Sequence, residues 1–233
     1  WVVDYRAFVR ALTTSAVQHA VEFNFCQRVV VIERSGCEFT ITTEHNRIRT
    51  KALINAAGLY ADDIATMALG EKRYTIYPWR GEYYEIISPL RKHLVRGLVY
   101  PAIPDNSVGK GIHFSPRTDG RMFLGPNAVP VSDKQDYESN KTPPDVFLPA
   151  ARRFFPSLRE RDIRWSYSGI RPRLSNEPHE GDFIISVDME RPLLINCVGI
   201  DSPGFSASMA IAKYIANQRP LYHVLDHLKE KAL

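Results

Sequence analysis

The chain is short of the residues and patterns that most directly declare a function. It has three cysteines in 233 residues. Cys26, Cys37 and Cys197 form no CxxC pair, which argues against a disulfide scaffold. Their odd number and wide spread point to a reducing compartment, and the expectation is the cytoplasm, with peripheral membrane contact left open. No apolar run reaches the length of a membrane span, and no signal peptide is expected. It begins at Trp1 rather than Met, so a fragment or processed chain is expected. The net charge is only +4, which gives weak steering toward small anions and argues against nucleic acid as a partner. The densest basic stretch, Arg152, Arg153, Arg159, Arg161 and Arg164, reads as a solvated helix face and loop. The seven histidines make no HExxH. His223 and His227 share a helix face without a third ligand, so no metal site is expected. There is no GxGxxG, no GxSxG and no Walker or kinase signature, and no internal repeat.

What is present is an ordinary globular composition, 44% hydrophobic and 24% charged. Asp4 caps a helix predicted over residues 5–22 from the spacing of Phe8, Val9, Leu12, Ala16, Val17, Ala20 and Val21. Residues 29–33 and 38–43 form a hairpin about Ser35-Gly36. A short buried strand over 52–55 ends in Ala56-Ala57-Gly58, and a helix begins near Tyr60. After Gly70, aromatic and β-branched segments at 83–87, 98–100, 112–114 and 122–124 alternate with prolines and turns, which predicts a mostly antiparallel sheet. A polar loop over 130–143 precedes a helix from Pro144 to Phe155, and strands resume at 163–168, 183–187 and 193–198. The fold class is therefore α/β to α+β and discontinuous. Residues 1–72 and 164–233 bracket an inserted sheet-rich domain over 73–163.

Four constellations can carry chemistry. The first runs through Gly199, Ile200, Asp201, Ser202, Pro203, Gly204, Phe205 and Ser206, between a buried strand and a helix marked by Met209, Ile211, Ala212, Ile215 and Ala216. Small residues admit close backbone approach, and a helix start offers unpaired N–H groups. The same pattern also fits an ordinary strand–loop–helix crossover. The second is Asn55-Ala56-Ala57-Gly58, a nucleotide-friendly strand end or simply tight packing. The third is Ser168-Gly169-Ile170-Arg171-Pro172-Arg173, in which two guanidinium forks straddle a proline that fixes the backbone. It reads as an anion site or as surface ion pairs with Glu177 or Glu180. The fourth is Gly111 to Arg117, where His113 sits in a strand with Ser115 and Arg117 nearby, as a proton acceptor, a substrate contact or a packing residue.

Together these segments resemble the flavin-dependent oxidoreductases of the D-amino-acid oxidase superfamily. The strand over 52–58 is similar to a second FAD-contacting motif, at Ala57 and Gly58. The strand at Arg28 to Ile32 is similar to the one whose backbone, near Val29, meets the adenine. The run from Gly199 to Ser208 is similar to the loop that closes over the isoalloxazine, and Gly169-Ile170-Arg171-Pro172 to the substrate-anion motif. Arg80-Gly81-Glu82-Tyr83-Tyr84 and the segment from His113 to Ala128 resemble the L-2-hydroxyglutarate dehydrogenase/oxidase branch. The Ser202-Pro203-Gly204 loop and Ile170-Arg171-Pro172 are shared with the glycerol-3-phosphate dehydrogenase branch. The resemblance implies FAD as cofactor, with Val29, Ala57, Gly58, Gly169 and the residues from Gly199 to Ser206 on the cofactor side. It implies a small anionic 2-hydroxy acid as substrate, Arg171 and Arg173 as its anion contacts, Tyr83 and His113 as further contacts, and Arg171 and His113 as the catalytic candidates. The electron acceptor and oligomeric state are left open. A further reading is a non-catalytic remnant or binding module. The family's N-terminal glycine-rich βαβ unit has no counterpart here, so this chain by itself is expected to hold FAD poorly.

Overall fold

The computed structural model describes residues 3–89, 95, 97–101, 111–177, 181–218 and 220–221. Glu180, His223 and His227 lie outside the described residues. In chain order the elements begin with α1 (Tyr5–Gln18), β1 (Val29–Ser35), β2 (Glu38–Thr43), β3 (Arg47–Thr50), β4 (Ala52–Asn55), α2 (Ala61–Leu69) and β5 (Tyr77–Ile86). They continue with β6 (His113–Pro116), β7 (Met122–Gly125), β8 (Val129–Pro130), α3 (Pro144–Arg152), β9 (Ile163–Arg173), β10 (Ile184–Glu190), β11 (Leu193–Val198) and α4 (Gly204–Ala216). The mixed α/β class with largely antiparallel sheets agrees with the sequence reading. The chain divides into two compact units, Trp1–Asn24 with Trp79–Ile170, and Phe25–Pro78 with Arg171–Leu233.

In the first unit, β6, β7 and β5 form an antiparallel run, and β8 and β9 also pair with β5. Alternation along the strands sorts the side chains into two faces. Tyr84, Ile86, Phe114, Met122 and Leu124 pack against Phe147, Leu148 and Ala151 of α3 to make the core. The other face carries Tyr83, Glu85, His113, Ser115 and Phe123. Gly120, at φ +81°, closes the turn between β6 and β7, where the Arg117 N–H donates to the Arg121 carbonyl at 2.8 Å.

The second unit is built around β11, buried at all six positions. It lies between antiparallel β10 and parallel β4, in register Leu193↔Ala52 through Asn196↔Asn55. Leu193, Ile195 and Cys197 face Ile211 and Ile215 of α4, while Leu194 faces Ile32, Phe39 and Ala68 of β1, β2 and α2. A strand apolar on both faces is what a parallel pairing covered on both sides requires. Burial also pushes the Cys197 thiol pKa up. The hairpin β1–β2 continues into β3.

Several boundaries differ from the sequence reading: β5 begins at Tyr77 rather than 83, β9 runs to Arg173 rather than 168, and β10 runs to Glu190 rather than 187. α1 stops at Gln18, because Ala20 turns left-handed (φ 60°) and the Ala20 and Val21 N–H groups donate to the carbonyls of Val17 and Ala16. This helix-ending motif places an apolar residue after the cap, which prolongs the apolar spacing past the helix. The stripe of α1 has no buried residue. α3 ends at Arg152 rather than Phe155, since Pro156 disfavours the helical backbone at the residue before it. Of the strand expected at 98–100, only a bridge between Val99 and Phe114 forms.

Candidate active site

Two of the four constellations, and the Arg171–Arg173 end of the third, meet in the second unit. The parallel register of β4 and β11 puts their C-terminal ends side by side, so the turns after Asn55 and Val198 leave the same sheet edge. In open α/β sheets this is where ligands bind. Asn55 shapes the first turn: its Oδ1 accepts from the Ala57 N–H at 3.2 Å, and its Nδ2 donates to the Ala61 carbonyl at 2.7 Å. Gly58 is left-handed (φ +58°), and a Cβ there would meet nothing within 4 Å. Backbone conformation requires this glycine, and the space above it is open.

The second turn is closed on one side by the third constellation. Gly199 is left-handed (φ +76°), and a Cβ would lie 2.5 Å from Leu174 Cγ. Leu174 follows Arg173 directly and packs with Leu59, Ala61 and Val198. The end of β9, the Gly199 loop and the turn after β4 therefore share one cluster. Arg171 and Arg173 lie on one face of β9, with Pro172 buried on the other. Beyond the loop, the Gly204 N–H donates to the Asp201 carbonyl at 2.6 Å, and α4 starts without a side-chain cap. Ile200 packs into the core beneath α4. The Ser208 hydroxyl is buried without a hydrogen-bond partner among the described residues. An open glycine turn, an uncapped helix start and an unpartnered hydroxyl fit a large polar cofactor with carbonyl and phosphate oxygens. Val29 stands apart on β1, half-buried against the cluster of Ile32, Phe39 and Leu194.

The fourth constellation lies in the first unit, on the sheet face opposite the core. His113 is 7% exposed, and its ring lies 4.3 Å from that of Tyr100. Its Nδ1 is 2.9 Å from the Gly111 carbonyl. A carbonyl only accepts, so Nδ1 carries a proton, which makes Nε2 the basic nitrogen whenever the ring is neutral. Gly125 lies opposite His113 on β7, and a Cβ there would come 2.6 Å from the Glu82 carbonyl oxygen and 3.2 Å from Tyr83. With φ +137°, only glycine fits. The face therefore lacks a side chain between His113 and Tyr83. Tyr83 stacks on Tyr167, with centroids 4.6 Å apart and planes at 12°. Phe123 meets Tyr167 edge-on at 5.4 Å. The Arg117 guanidinium lies 4.9 Å from the Phe123 ring and donates to the Tyr167 hydroxyl. Tyr167 and Phe123 were not singled out from sequence, and only their alternation onto the His113 face could have flagged them. Gly169, on β9 in this unit, has open space where a Cβ would stand.

This face is fixed from behind. Arg80, Glu82 and Tyr84 alternate with Gly81, Tyr83 and Glu85 on β5. Arg80 Nε is 3.1 Å from Glu82 Oε1, in ion-pair contact but not aligned as a hydrogen bond. Arg80 NH1 donates to Asp136 Oδ1 at 2.8 Å, and NH2 donates to the Asn140 carbonyl at 3.2 Å. Glu82 Oε2 accepts from Asn127 Nδ2 and the Thr142 N–H, both at 3.0 Å. The Ser139 hydroxyl, and then Arg80, hold the Asp136 carboxyl below the usual carboxylate range.

Comparison with known proteins gives the family of the chain. The model of the DAO family, FAD dependent oxidoreductase, matches residues 1–218. A glycerol 3-phosphate dehydrogenase of Caloramator mitchellensis is 31% identical over 208 residues, covering 89% of this chain and 42% of the relative. A mitochondrial L-2-hydroxyglutarate dehydrogenase of Arabidopsis thaliana is 33% identical over 181 residues, covering 71% of this chain and 37% of the relative. Dithionite-reduced L-α-glycerophosphate oxidase of Mycoplasma pneumoniae with FAD bound superimposes with a TM-score of 0.74 at 26% identity, over 91% of this chain and 54% of the oxidase. The chain thus spans about half the length of these relatives or less. No helix among the described residues is long and apolar enough to cross a membrane, and none of their side-chain clusters could hold a metal ion. The chain belongs to the DAO family of FAD-dependent oxidoreductases, whose cofactor is FAD.

Proposed function

We propose that this protein takes part in the FAD-dependent oxidation of a small 2-hydroxy acid, L-2-hydroxyglutarate to 2-oxoglutarate. The observation that carries the reading is the junction of the two segments that resemble the hydroxyglutarate branch. The Glu82 N–H donates to Asn127 Oδ1 at 2.7 Å, Asn127 returns a bond to Glu82, and Gly125 abuts Tyr83. These residues back and border the face that carries His113, which supports the reading that the branch-like sequence forms the substrate side. The FAD of the family, when bound, supplies acceptance of a hydride from the carbon that bears the hydroxyl. His113 Nε2 takes the hydroxyl proton as that C–H bond breaks, leaving a keto acid. Arg171, with Arg173 beside it, is assigned to a substrate carboxylate in bidentate fashion by resemblance. The loop from Gly199 to Ser206, with Ala57 and Gly58, holds the cofactor. The uncapped start of α4 stabilises negative charge there. Val29 and Gly169 are assigned to the cofactor side by resemblance alone.

A second reading, oxidation of glycerol 3-phosphate with a phosphate on Arg171 and Arg173, is favoured by the 31% identity to a protein of that name over 89% of the chain. Reduction of the flavin-loaded protein by each substrate, followed by flavin bleaching in stopped flow, separates the two. Faster bleaching by L-2-hydroxyglutarate than by its D-enantiomer or by glycerol 3-phosphate is expected. The opposite order overturns the first reading.

A further inference from the structure

The His113 face of the first unit holds an arginine that pairs with no carboxylate among the described residues. Arg80 is matched by Glu82 and Asp136, Arg121 by Asp119 at 2.7 Å, and Arg164 by Glu85 at 3.6 Å. Arg117 has no ion pair among the described residues. Its guanidinium rests against Phe123 and Tyr167 at 4.9 and 5.4 Å and donates to the Tyr167 hydroxyl. The contrast with Arg121 is informative, because both belong to the same turn and both reach the Phe123 ring. Arg121 is 55% exposed and spends its charge on a carboxylate two residues away. Arg117 is half-buried and held by rings, which orient a guanidinium without satisfying its charge.

The strand register says where that charge points. Ser115 pairs with Phe123, and His113 pairs with Gly125. Lying over Phe123, the guanidinium is carried back along β6 to the Ser115 row, one side-chain row from His113. Two residues of strand span about 7 Å. A hydroxyl at His113 and an anion at Arg117 are therefore bridged by a substrate whose hydroxyl carbon and second acid group are separated by two methylenes. A shorter monoacid does not reach.

We propose that Arg117 is a specificity-determining residue that binds the distal anionic group of a dianionic 2-hydroxy acid. The inference rests on the hydroxy-acid reading and adds to it: Arg117 takes the carboxylate far from the reacting carbon, and the Phe123–Tyr167 platform sets the distance between His113 and that charge. Tyr167 is a positioning residue acting through Arg117.

The test compares L-2-hydroxyglutarate with L-2-hydroxybutyrate, which lacks the far carboxylate, in flavin-loaded wild type, Arg117→Met, Arg117→Lys and Tyr167→Phe. Expected for Arg117→Met is a rise in KM for L-2-hydroxyglutarate of tenfold or more, with KM for L-2-hydroxybutyrate and the flavin spectrum unchanged. Arg117→Lys, which keeps the charge but loses the planar fork, falls between. Tyr167→Phe keeps the stack, loses the tether, and raises KM for the diacid by less than Arg117→Met. An Arg117→Met protein that retains the wild-type preference for the diacid, or loses both substrates equally, overturns the role of Arg117 and leaves the hydroxy-acid reading standing. Wild type that does not oxidise L-2-hydroxyglutarate overturns both. Should Arg117→Met fail to fold, the Arg117→Lys and Tyr167→Phe ratios decide: unchanged diacid preference in both refutes the assignment.

Discussion

Each of the two units fastens an irregular segment to a sheet through a buried polar network, and the networks are built from different materials. In the first, Arg80 and Glu82, 2% and 0% exposed, hold the loop before α3 through Asp136, Asn140 and Thr142. In the second, the network is largely neutral. Asn55 Nδ2 donates to Asn196 Oδ1 at 2.7 Å, and Asn196 Nδ2 donates to Asp188 Oδ2 at 2.6 Å. Asp188 also accepts from the Tyr74 and Ser186 hydroxyls, each at 2.7 Å, and lies 3.4 Å from Arg73. Amides lose little when taken out of water with their bonds made, whereas a buried ion pair is tolerable only while every member is present. The first network should therefore be brittle and the second graded. The difference maps onto their tasks. The charged network backs the face that carries His113, Tyr83 and Arg117, while the amide network shapes the turn at Ala57 and Gly58.

The largest test of that contrast is Glu82→Ala. It strands Arg80 beside a single, partly exposed carboxylate and removes the acceptor for Asn127 and the Thr142 N–H. A loss of about 3–5 kcal/mol is expected by urea unfolding. Replacing both charges, Arg80→Met with Glu82→Met, should cost less than Glu82→Ala alone, since no buried charge is then left unmatched. A double variant less stable than the single one removes the argument for brittleness.

Asn196→Ala probes the other network. It takes a donor from Asp188 and an acceptor from Asn55, both of which keep other partners. About 1–3 kcal/mol is expected, and a loss matching that of Glu82→Ala would abolish the contrast between the units.

How much of this was legible in the sequence depends on whether the determining contacts are local. β2, β4 and β11 were readable to the residue, because a continuous apolar run or clean alternation bounded by turn residues fixes a strand by itself. Asp4 was readable as a cap for the same reason: its Oδ1 accepts from the N–H groups of Arg6 and Ala7, within one turn. The small-residue turns and the two arginines were also visible, but their convergence was not. It rests on Leu174 meeting Gly199 and on β4 pairing with β11, contacts between residues far apart in the chain. The loop over 130–143 looked merely polar, because its anchors on β5 lie dozens of residues upstream. Tyr167 and the pose of Arg117 depend on cross-strand register, which the pattern of a single strand does not carry.

The smallest effect is on pH dependence, and it sharpens the comparison because the amide network holds a titrating pair. Burial, with the hydrogen bond to Asp188, raises the Tyr74 phenol from its ordinary value of 10.0 to about 12. For Asp188, burial alone would push the carboxyl up. The hydrogen bonds from Tyr74, Asn196 and Ser186, with the Arg73 charge, outweigh it and hold the carboxyl below the usual range. The raised phenol gives stability that is complete below its unfolded value and lost as pH rises from about 10 through about 12. The depressed carboxyl gives stability present above the ordinary aspartate range and lost as pH falls through its lowered folded value. Tyr74→Phe removes this phenol's share of the alkaline limb, since phenylalanine does not titrate, and leaves the shares of Tyr84 and Cys197, whose values burial also raises. It also weakens the acid limb, because Asp188 loses one of the bonds that depress it. Urea midpoints measured across the pH range should therefore fall less steeply at both ends in Tyr74→Phe than in wild type. Curves that differ only by a constant offset would mean that Tyr74 and Asp188 do not titrate as a pair, and that the second network is as insensitive to protons as its amides alone.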